Sequence, residues 1–135
     1  NKVRGAVQSM QTVLFAAKNF SGFSSMVEFL RDEPGVELVP VPSGDAALKV
    51  LQEKKIDLLI AAENLEDMSG LACLKLVAQQ FPLVYTALCS TLSPEDFHES
   101  TEGLGVLMQL SLQPGKEESA KMLAQLQKIN ALLSS

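Results

Sequence analysis

The sequence predicts an α/β fold of three layers, a doubly wound parallel sheet of five strands with helices on both faces. Three observations predict it. Short apolar runs rich in strand formers alternate five times with longer segments whose apolar residues recur at helical spacing. Two of the runs, "TVLFAA" (12–17) and "IDLLIAA" (56–62), are apolar without alternation, the pattern of strands buried on both sides. Parallel neighbours need crossover connections, and every connection here reads as a helix.

The first strand is 12–17. From Phe20 to Asp32, the residues Phe20, Phe23, Val27 and Leu30 keep helical spacing, and Pro34-Gly35 ends the first helix. "VELVPV" (36–41) is the second strand; Pro40 lacks an amide donor, which places this strand at an edge of the sheet. Ser43 caps the second helix, "GDAALKVLQEKK", whose Ala47, Leu48 and Leu51 form one stripe. The third strand spans 56–62, and after a loop Ser69 caps the third helix, "GLACLKLVAQQF". Pro82 leads into the fourth strand, "LVYTALCS" (83–90). Ser93, Pro94 and Asp96 open the fourth helix as N-cap, first helical residue and acid three positions after the cap. "GVLMQLSL" (105–112) is the fifth strand. "GKEESAKMLAQLQKINALL" (115–133) is the fifth helix, with Met122, Leu123, Leu126, Ile129 and Leu133 facing inward.

With 135 residues, 47% of them hydrophobic and 20% charged, the chain is long enough for one domain with a continuous core. Residues 12–135 are that domain, and 1–11 are an N-terminal extension or an expression remnant. A net charge of −5 and scattered basic residues exclude a direct nucleic-acid surface, which needs clustered Lys and Arg. No apolar run reaches the roughly 20 residues that span a bilayer, and no signal-peptide pattern opens the chain. The expectation is a cytoplasmic domain without membrane contact. A first residue of Asn rather than Met suggests a fragment of a longer protein. Cys73 and Cys89 have neither a CxxC nor a metal-ligand spacing, and read as reduced thiols packed as small hydrophobes.

In an open parallel sheet, ligands bind beyond the carboxyl ends of the strands. The sequence puts Ala16, Ala17, Ala62, Ser90 and Gln113-Pro114 there. None offers the carboxylate oxygens that Mg²⁺ prefers, and no Gly-rich phosphate loop follows a strand. Glu63 and Glu66 are acids close by, but Glu63 follows the last inward position of its strand and is expected to point to the other side. His98 lies among Glu95, Asp96 and Glu99, as a solvated histidine with no nucleophile beside it. Cys89 borders the crevice without a His or Lys to favour its thiolate.

Several stretches resemble the receiver domains of two-component response regulators. "SGDAALKVL" (43–51) resembles that family's Gly-Glu-Glu-Ala-Leu stretch. "IDLLIAAENLEDMSGLACLKLV" (56–77) resembles its most diagnostic segment, Pro-Asp-Leu-Val-Leu-Leu-Asp-x-x-Met-Pro-x-Met-Asp-Gly-Leu, with matches at Asp57, Leu58, Asn64, Met68, Gly70 and Leu71. Gln113-Pro114 stands where the family has Lys-Pro, and the resemblance runs from Thr12 to Leu133. It implies a flavodoxin-like, CheY-like (βα)5 fold with strand order 2-1-3-4-5.

Carried over by position, the family's Mg²⁺-binding acidic pair falls on Ala16 and Ala17, and its phosphate-accepting aspartate on Ala62. Its switch hydroxyl falls on Ser90, its phosphate-sensing lysine on Gln113 and its switch aromatic on Leu110. Transfer of a phosphoryl group to aspartate needs the carboxylate nucleophile, Mg²⁺ and a cation on the transferring oxygens. The resemblance therefore implies a pseudo-receiver: no enzyme, no cofactor, Mg²⁺ binding lost, and action through protein–protein contact.

Partners would be a separate protein, a fused kinase or output domain, or a second copy in a homodimer. Phe20, Phe23, Met26, Val27, Phe29 and Leu30 cover an arc of about 180° on the first helix, wider than the ~100° stripe of a surface helix. The excess at Met26 and Phe29 is either a docking surface or deep packing. The face of the fourth helix, fifth strand and fifth helix, which the family uses for dimerisation, is the other candidate. A small-molecule sensor using an apolar crevice at Ala16, Ala17, Ala62 and Leu110 is a competing reading, and a phosphoacceptor with an unusual residue a third.

Overall fold

The computed structural model describes residues 10–134. The strands are β1 (Gln11–Ala16), β2 (Val36–Val41), β3 (Leu58–Ala61), β4 (Tyr85–Cys89) and β5 (Val106–Leu110). The helices are α1 (Ser24–Asp32), α2 (Gly44–Glu53), α3 (Gly70–Gln80), α4 (Pro94–Thr101) and α5 (Lys116–Ser134). A 3₁₀ turn, Ser21–Phe23, leads into α1. All five strands are parallel, in the order β2-β1-β3-β4-β5, which is the doubly wound topology expected. β1 begins at Gln11, paired with Val36, so the sheet starts one residue before the boundary expected at 12. Residues 1–9 of the N-terminal extension lie outside the described residues.

Burial explains the two unbroken apolar runs. Every residue of β1 and β3 is buried, because each strand has neighbours on both sides and helices above and below. β2 is an edge strand, as Pro40 requires. Ser43, Ser69 and Ser93 accept the amides of Ala46, Ala72 and Asp96 at 3.0, 3.0 and 3.1 Å, so all three predicted N-caps are formed. Phe15 of β1 meets Phe20 and Phe23 edge-on, with ring centroids 5.1 and 5.0 Å apart, which fixes the 3₁₀ turn against the sheet.

Met26 is fully buried, and this corrects the idea that it helps form a docking surface. α1 packs against both β2 and α5, so its wide apolar arc serves two neighbours at once. Phe29, beside it, is half-buried against the core. The apolar runs at 56–62, 83–90 and 105–112 outlast their ladders by one or two residues at each end. Ile56 and Ala62 stay buried beyond the ends of β3, whereas Leu83 before β4 and Leu112 after β5 are exposed.

Candidate functional site

The carboxyl ends of β1, β3 and β4 meet at one point on the sheet. The amide of Ala62 donates to Ala16 O at 2.9 Å, that of Ala17 to Val41 O at 3.1 Å, and that of Ser90 to Leu110 O at 3.0 Å. Backbone pairing thus continues past the last ladder residues and draws Ala16, Ala17 and Ala62 together. Their exposures are 0, 0 and 5%, and that of Leu110 is 0%. Methyl groups close the place where carboxylates would need solvent or a cation, so these four residues do not line an open crevice. A groove of about 590 Å³ lies instead at the opposite end of the strands, among Leu51, Ile56, Phe81, Leu83, Tyr85 and Leu133.

Gly70 shows how tightly the loop after β3 is drawn in. A Cβ there would fall on the carbonyl oxygen of Ala62 and within 2.8 Å of Leu88 Cδ1. Only glycine lets the first residue of α3 approach that closely, and its amide donates to Glu63 O at 2.9 Å. Within the same loop, Asp67 accepts the Gly44 and Asp45 amides at 2.8 and 2.9 Å, so its carboxylate sits on the N-terminus of α2. Those amides, Gly44 first, hold its carboxyl below the ordinary value of 3.8. Sequence reasoning missed this contact, since nothing along the chain pairs residue 67 with residues 44 and 45.

Ser90 is buried, and its Oγ accepts the Leu92 amide at 3.1 Å, so the hydroxyl at the switch position closes a turn. Gln113 is exposed and stands next to Gly22 of the 3₁₀ turn. Glu63 is engaged by a neighbouring loop. Its Oε2 accepts the Thr91 hydroxyl at 3.2 Å and the Thr91 amide at 3.4 Å, which puts the carboxylate over the β4–α4 loop. The two-residue alternation stops where β3 stops, at Ala61, so it does not govern residue 63. Among the described residues no three His, Cys, Asp or Glu side chains are grouped to hold a metal ion.

Both cysteines are free and buried. Burial pushes the Cys73 thiol up to about 11, with Asp67 adding to the shift. Burial pushes Cys89 up to about 12, helped by Glu118 and Glu63. Neither thiol is poised as a nucleophile at neutral pH. His98 is exposed on α4, as expected. Among the described residues no helix is long and apolar enough to cross a membrane.

Strand order and layering define the flavodoxin-like, CheY-like fold that receiver domains have. The signal receiver domain of an HD domain-containing protein from Pseudomonas fluorescens Pf-5 matches with a TM-score of 0.80 at 20% identity, over 95% of this chain and 94% of that one. The chemotaxis response regulator CheY4 of Vibrio cholerae matches with a TM-score of 0.76 at 22% identity, over 87% of this chain and 99% of that one. The isolated REC domain of RcsB from Salmonella enterica serovar Typhimurium gives 0.75 at 17% identity, over 90% of each chain. No protein-family model and no curated protein matches the sequence.

Proposed function

We propose that this chain is a receiver domain of a two-component-type signalling protein that takes no phosphoryl group at position 62 and acts through protein–protein contact. One observation carries the reading: the strand ends that would hold an acidic pair and an acceptor aspartate hold Ala16, Ala17 and Ala62, drawn together and buried. Without a carboxylate nucleophile, and with Gln113 where a cation would neutralise the transferring oxygens, the transition state has nothing to stabilise it. Mg²⁺ has no carboxylate at 16, 17 or 62 to bind.

The domain would be cytoplasmic and serve a fused kinase or output domain, a separate protein or a second copy. The face formed by α4, β5 and α5 is the candidate surface. The test is beryllofluoride or acetyl phosphate with Mg²⁺, followed by amide chemical shifts. Unchanged shifts are expected; movement at residues 62–66 and 90–92 would overturn the reading.

A further inference from the structure

α4 is eight residues long, and only Phe97 and Thr101 of its side chains are buried. So little burial leaves its position to the loop that carries it, and that loop is tied from both sides. Gln109 of β5 donates from Nε2 to Ser90 O at 3.1 Å and to Leu92 O at 2.9 Å. Glu63, leaving β3, accepts from the hydroxyl and amide of Thr91 at 3.2 and 3.4 Å. Within the loop, the Leu92 amide donates to Ser90 Oγ at 3.1 Å. Each of residues 90, 91 and 92 therefore has a backbone group held by a side chain.

We propose that Glu63 and Gln109 form a permanent latch on the β4–α4 loop, so that α4 is held in one position without any group being transferred to residue 62. The inference rests on the reading of Ala62 given above and adds how the domain is kept in a single state. The carboxylate of Glu63 brings a fixed anionic oxygen to the Thr91 amide, and Gln109 satisfies two carbonyls that would otherwise turn to water or rearrange. A latch of neutral and charged hydrogen bonds from two different strands restrains the loop in both directions along the sheet edge. The α4 surface is then presented constantly, and regulation falls to whatever binds it.

The test is hydrogen exchange on the whole chain, comparing wild type with Glu63→Ala and Gln109→Leu. Losing one or two such bonds raises local opening, so amides 91–101 are expected to exchange roughly tenfold faster in each variant, with the core of β1 and β3 unchanged. No acceleration at 91–101 in either variant, or equal acceleration throughout the domain, overturns the latch. Relaxation dispersion on the wild type needs no variant: a flat profile for residues 90–101 is expected, and microsecond-to-millisecond exchange there overturns it. The phosphate-analogue shifts test residue 62 separately, so either claim can fail without the other.

Discussion

Gly70→Ala tests the geometry around Ala62 most directly. The added methyl would overlap the Ala62 carbonyl oxygen and press on Leu88 Cδ1. Neither can yield easily, because one is backbone and the other lies in the core, 3% exposed. Overpacking of this kind costs about 1–3 kcal/mol. Distorting the hydrogen bond from the Gly70 amide to Glu63 O adds about 1 kcal/mol. Replacing glycine by alanine in a helix returns at most about 1 kcal/mol. The net loss is about 2 kcal/mol, which in a domain of this size lowers Tm by about 7 °C and the urea midpoint by about 1 M. Gly115→Ala is the control: a Cβ there meets nothing within 4 Å, so only the change of N-cap residue counts and its effect should stay under about 1 kcal/mol. If Gly70→Ala melts within about 2 °C of wild type, α3 does not approach Ala62 as described and the close packing of the strand ends is wrong.

Two further outcomes are expected. Thr86 is 2% exposed and its hydroxyl has no partner, so Thr86→Val keeps the shape, removes the orphan and should raise stability by about 1 kcal/mol in urea denaturation; a loss would show that the hydroxyl is paired. Asp67 has a carboxyl held below 3.8 by the amides of Gly44 and Asp45, so its contribution is present above the unfolded value and disappears as pH falls through the folded one. Asp67→Asn should be less stable than wild type at pH 7, with the two stability curves converging below pH 3.8; curves that stay parallel through that range would refute the capping role.

Much of the fold can be read from local pattern. Unbroken apolar runs mark β1 and β3, serines mark three helix starts, and Pro40 marks an edge, because each is a statement about a residue and its near neighbours in sequence. Met26 and Glu63 were harder. The arc of α1 reveals how much of the helix is covered but not how many elements cover it, and it is the combination of β2 and α5 that buries Met26. For Glu63, alternation along a strand fails once the ladder ends, and the partner Thr91 is far away in sequence. Asp67 on the amides of Gly44 and Asp45 and the register shift between Thr86 and Ala87 are likewise long-range facts with no local signature. The candidate site was legible as a set of missing groups; what replaces them, a Ser90 turn and the ties from Glu63 and Gln109, was not.

Pro40 matters beyond fixing the place of β2. The carbonyl of Val41 takes the Ala17 amide, so the backbone groups of Pro40, one residue earlier, face away from β1. An incoming strand at that side would find one donor missing, and Glu37 next to its path. β5 carries no proline and no charge in Val106–Leu110, and its outward row of amides and carbonyls is complete. For copies of this chain joining sheet to sheet, in assembly or in misfolding, β5 is the less obstructed of the two edges.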